Sequence, residues 1–206
     1  MKTKLLLILV SLAVLTTSLS AQSQDSRNSA FYLSAGYSRL DYKFNYDNII
    51  NGINVGAGYF GQIGNTGLFW DGSATFTYGI KEGKINNTKT TSITGAVNLL
   101  YQIKLSNIVS LFPYAGPALK YFIYGRTKPL LWSKEGASEF SQYYPWFGDE
   151  SRGYNRVSFG VQAGLRLAIR GVFLSAEYQP YLTELNPKKH KKITAFNFTV
   201  GFYFYV

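Results

Sequence analysis

Three charged residues fall where charge is least expected. Lys120, Arg166 and Glu177 each occupy the small-residue side of an otherwise apolar segment: "LFPYAGPALKYFIY", "RVSFGVQAGLRLAIR" and "VFLSAEYQPYL". A charge on a buried face needs a partner, because an isolated ion away from water costs far more than a paired one. Arg166 and Glu177 flank the dipeptide Arg170–Gly171 at similar distances, so a hairpin would bring them within diagonal reach on one face. The expectation is an internal Arg166–Glu177 pair with Lys120 nearby. Such a network can fill and close an interior, or it can line an ion path. The chain holds one histidine, His190, inside "KKHKK", and no cysteine. One imidazole without thiolates gives no basis for a metal site, and the missing cysteines exclude a disulfide framework. No Gly-rich phosphate loop or nucleic-acid motif is present. Catalytic residues, metal ligands and cofactors are therefore expected to be none.

The elements that carry these charges alternate with period two. Val157, Phe159, Val161, Ala163, Leu165, Leu167 and Ile169 fall on one face, and Ser158, Gly160, Gln162, Gly164, Arg166 and Ala168 on the other. Successive residues of a strand point to opposite sides, so one face is apolar and the other small or polar. The pattern recurs in "FYLSAGYS", "GINVGAGYF", "LFWDGSATFTYGI" and "SITGAVNLLYQI", and in the terminal "ITAFNFTVGFYFYV". Together with the three charge-bearing segments this makes eight strands. Short turns ("GQIGNTG", "KLSN", "RG") alternate with longer polar loops (39–50, "KEGKINNTKT", 125–155, "ELNPKKHKK"). Even strand number with unequal connectors describes an eight-stranded antiparallel up-and-down transmembrane β-barrel. A soluble barrel of lipocalin type would place the apolar face inward. Here the apolar face holds the bulk and no charge, whereas the other is rich in Gly, Ala, Ser and Thr, which suit a narrow interior. The apolar face is thus expected outward. Pro117 lies mid-strand and predicts a bulge or a lost ladder hydrogen bond.

Residues 1–21 read as a signal peptide. Lys2 and Lys4 precede the apolar "LLLILVSLAVL", which is too short to span a bilayer, and small residues follow. Residues 22–206 are then the barrel domain. The formal net charge is +10, with basic stretches at "KEGKINNTK" and "KKHKK" that would draw anionic headgroups such as those of lipopolysaccharide. The long segment 125–155 carries Trp132, Tyr143, Tyr144, Trp146 and Phe147. These could cap the barrel, or they could offer a contact surface to a protein or glycan.

On "PYAGPALKY", "GVQAGLRL", "LSAEYQPY" and the terminal strand, the chain resembles small outer-membrane β-barrel proteins of Gram-negative bacteria, the OmpA/OmpX/OmpW-like porin family. The richness in Lys, Tyr and Asn is similar to the Bacteroidetes branch. The resemblance implies integral outer-membrane localisation with periplasmic termini, and contact with outer-membrane lipid. It also implies a C-terminal signal for the barrel-assembly machinery at Phe202, Phe204 and Val206; the family usually ends in Phe, and this chain departs at Val206. Acyl hydrolases of this size use a His beside a Ser, and His190 has no such motif around it. The expected role is non-enzymatic, structural or interaction-based. A narrow channel for ions or small solutes is the alternative, and a lipid-modifying enzyme a weaker one.

Overall fold

The computed structural model describes residues 29–42, 49–82, 86–129, 144–147, 154–186 and 192–205. Residues 1–28 lie outside these, and with them the predicted signal peptide and its boundary. Eight long strands run in chain order: β1 (Ser29–Tyr42), β2 (Ile49–Gln62), β3 (Leu68–Glu82), β4 (Asn86–Tyr101), β6 (Val109–Pro129), β8 (Val157–Ile169), β9 (Val172–Pro180) and β10 (Ile193–Tyr205). Two short strands, β5 (Ile103–Lys104) and β7 (Tyr144–Pro145), flank β6. Every pairing is antiparallel. Each long strand pairs with its neighbours in the sequence, and β1 pairs with β10 from Ala30↔Tyr205 to Tyr42↔Ile193, so the sheet closes on itself without a free edge.

The apolar rows point outward. Phe31, Leu33, Ile53 and Phe198 are each more than half exposed, whereas the alternating Tyr32, Asn54 and Asn197 are buried. A soluble barrel would invert this arrangement. Strands run further at the loop end than the alternation suggested. Thr88 and Thr90, read as loop, are buried strand residues, and β6 continues to Pro129. Their ladder bonds satisfy the backbone where the apolar belt has already ended.

Local geometry follows from a few residues. Arg170 (φ 48°) and Gly171 (φ 91°) form the two-residue turn between β8 and β9, both left-handed as a tight hairpin requires. At Pro117 there is no bulge. The ladder to β4 lapses between Ala96↔Ala118 and Leu99↔Ala115 with register unchanged, and the bulge falls higher, opposite Thr91 and Ser92. Gly116 sits in that lapse, where a Cβ would run into the Val97 carbonyl oxygen, so only glycine allows β4 and β6 this approach.

Candidate functional site

The bore is built in layers. At the turn end, Phe60, Phe69, Leu100, Phe112, Phe173 and Tyr203 form an aromatic plug. Phe60 and Phe69 stack at 4.5 Å, and the Phe112 ring meets each of them edge-on. At the loop end, Leu40, Ile50, Phe122, Tyr181, Leu185 and Ile193 form a second apolar layer. Polar side chains fill the space between.

Arg166 does not pair with Glu177. Its Nη2 lies 2.6 Å from Asp71 Oδ2, and its Nη1 donates to Tyr203 Oη at 3.1 Å. Tyr32 Oη donates to the other Asp71 oxygen at 2.7 Å. The guanidinium also lies 4.8 Å from the Phe173 ring centre and 4.9 Å from that of Tyr32. In the hairpin Arg166 sits opposite Ser175, and Glu177 opposite Gly164. The stagger therefore carries Glu177 toward the loop end, while Asp71 on β3 stands at the level of the Arg166 head across the bore. A lone acid on the small-residue face of "LFWDGSATFTYGI" was the available signal for Asp71.

Glu177 is held by neutral donors. Tyr114 Oη donates to Oε2 at 3.0 Å, and Asn197 Nδ2 donates to Oε1 at 2.8 Å. Gln179 Nε2 donates to the same Oε1 and to Gln162 Oε1. Gln162 Nε2 in turn donates to Asn98 Oδ1 at 2.7 Å. Lys120 is fully buried between Thr94 and Ser158 on the adjoining strands, with its ammonium 5.4 Å from the Tyr181 ring centre. Asp71 and Glu177 thus offset Arg166 and Lys120 within one enclosed layer. A cavity of about 40 Å³ remains there, lined by Asn54, Asn98, Glu177 and Asn197 among others. That space suits a few waters.

Of the long-loop aromatics, Trp146 and Phe147 turn inward and are buried against Phe122. Trp146 stacks on Tyr154 at 5.3 Å and donates Nε1–H to Thr127 Oγ1 at 2.8 Å. This places them as a cap on the bore and not as an open contact surface. Tyr144 contributes its backbone to β7. Trp132 and Tyr143 lie outside the described residues, as do His190 and Val206. Phe202 and Phe204 occupy the outward row of β10, Phe204 exposed and Phe202 half-buried. Among the described residues no group of His, Cys, Asp and Glu could hold a metal ion.

Among curated proteins none matches the chain. Solved structures of similar shape include the attachment invasion locus protein Ail of Yersinia pestis (14% identity, 87% of this chain and 99% of that chain, TM-score 0.47). Neisserial surface protein A shares 20% identity over 84% of this chain and 97% of that one, with a TM-score of 0.46. The outer membrane enzyme PagL shares 15% identity over 83% and 98%, with a TM-score of 0.49. Likeness at this level speaks to no activity. Residues 9–204, nearly the whole chain, match the outer membrane protein beta-barrel domain family, and with its outward apolar belt and closed eight-stranded ring the chain belongs to that family of integral outer-membrane proteins.

Proposed function

We propose that this protein is a non-conducting, non-enzymatic barrel of the outer membrane, with both termini on the periplasmic side and its loop end presented outward for contact. The observation that carries this reading is the layered bore: two apolar plugs enclose a hydrogen-bonded polar layer around a cavity of about 40 Å³. An ion would have to displace packed aromatic rings at both ends, and Glu177, Gln162, Gln179, Asn98 and Asn197 are already hydrogen-bonded to one another. The same enclosure keeps the buried ionisable groups away from any substrate. The turn end next to the termini has short connectors, as the periplasmic side of such barrels does.

Planar-bilayer recording tests the reading. The refolded protein is expected to give no steady current above baseline at either polarity. A reproducible, voltage-responsive conductance that changes on Lys120→Met or Glu177→Gln would replace it with the channel reading. Hydrolysis of lipid ester bonds by the purified barrel, lost on His190→Ala, would replace it with the enzyme reading.

A further inference from the structure

The loop-end cap has little backbone to hold it. Among the described residues β7 has a ladder of two pairs, Arg126↔Pro145 and Thr127↔Tyr144, and Pro145 brings no N–H to it. Trp146 N–H adds a bond to the Gly125 carbonyl at 2.9 Å. The indole rests against Gly125, where a Cβ would come within 2.7 Å of the ring, so the seat depends on a residue without a side chain. A ladder this short is marginal by itself. The two rings take further hold from the segment 154–156.

That segment ties the cap to the barrel wall. Tyr154 stacks on Trp146. Asn155 N–H donates to the Leu185 carbonyl at 2.8 Å, and its Nδ2 donates to that of Glu184 at 3.1 Å. The Arg156 guanidinium lies 4.9 Å from the Phe147 ring centre, and its Nη1 donates to the Ile123 carbonyl at 3.1 Å. Ile123 is the extra residue of the β6 bulge. Tyr124 pairs with Thr91 and Phe122 with Ser92, which leaves Ile123 no place in the ladder to β4. The ladder to β8 ends at Tyr121↔Val157. Arg156 thus supplies a donor to a carbonyl outside both ladders, and the same side chain covers the second ring of the cap. Arg156 is exposed, unlike Arg166, so water can replace its partners when it lets go. Local opening draws on elements of this kind, with short ladders and exposed hydrogen bonds.

From this we propose that Tyr144–Phe147 is a lid over the loop end that opens as a unit while the barrel stays closed, and that Arg156 is its latch, joining the Phe147 ring to the bulge carbonyl of Ile123. Opening turns Trp146 and Phe147 away from Phe122 and uncovers the apolar layer beneath them, at the end where the proposed contact function lies. The opening rests on the geometry of the cap alone; a conducting bore, or a protein without a loop-end partner, would leave it standing.

The chain has no cysteine, so single thiols report on opening. Thr90→Cys places one in the buried position directly opposite Gly125, beside the seat of the indole. Ala30→Cys places one in the turn-end plug, where only loosening of the whole barrel would expose it. Each full barrel is reconstituted in phosphatidylcholine nanodiscs, and its reaction with a water-soluble maleimide is followed by intact-mass spectrometry. R156Q is expected to speed labelling of the T90C thiol roughly tenfold, through loss of one charge-assisted hydrogen bond and one cation–π contact, and to leave the A30C thiol unchanged. R156K keeps a cation and a donor but not the planar fork, and is expected to stay within about threefold of the parent. An unchanged T90C rate in R156Q, an equal rise at A30C, or an R156K as open as R156Q would each overturn the proposal. Heat-modifiable migration of each variant separates an open lid from lost folding.

Discussion

Arg166 on β8 and Asp71 on β3 meet across the bore at 2.6 Å although 95 residues separate them in the chain. Both side chains are essentially sealed from solvent. The pair joins opposite walls of the barrel immediately above the aromatic plug, and Tyr32 and Tyr203 complete it from the two strands flanking the closure.

Breaking one half of this pair is expected to cost more than removing both. R166M leaves Asp71 buried without its charge partner and should destabilise the barrel by about 3–5 kcal/mol, whereas D71L/R166M should recover a large part of that loss. Urea unfolding in vesicles reads the difference. Equal destabilisation by single and double variants would remove the cross-bore pair as a stabilising unit.

Gly116 should be intolerant of any side chain. A Cβ there meets the Val97 carbonyl oxygen, backbone that cannot swing aside. G116A is expected to cost about 1–3 kcal/mol as an overpacking strain and to slow refolding. Gly95, whose Cβ position is open, is the matched control: G95A should fold as wild type.

The loop-end cap should be separable from the barrel. W146A removes a buried ring, its stacking on Tyr154 and its bond to Thr127, and is expected to cost about 3 kcal/mol locally. Limited proteolysis should then cut faster near 144–147 while heat-modifiable migration persists. Loss of the folded band altogether would show that the cap is needed for the barrel itself.

Closure should depend on the last strand. β10 pairs with both β1 and β9, so truncation after Lys192 leaves two unpaired edges. The truncated chain is expected to show no heat-modifiable band and to aggregate on refolding. F204A keeps all the ladder bonds and is expected to fold in vitro while assembling poorly in cells, if the outward terminal aromatics act as an assembly signal.

Alternation by itself determined the architecture. A side chain's face in a strand depends on parity alone, so the outward row of β8 from Val157 to Ile169 and the bore-facing placement of Lys120, Arg166 and Glu177 could be read one residue at a time. The Arg170–Gly171 turn was readable for the same local reason. Which charge meets which was not readable. The height of a residue on the barrel axis depends on the stagger accumulated around the whole ring, and that stagger sets Asp71, not Glu177, beside the Arg166 head. Short-range logic chose the hairpin neighbour Glu177, and the closed ring chose Asp71. The inward turn of Trp146 and Phe147 was undecided likewise, because aromatic composition suits a cap and a contact surface equally. Only the opening left above Phe122, a tertiary feature, draws the two rings inside.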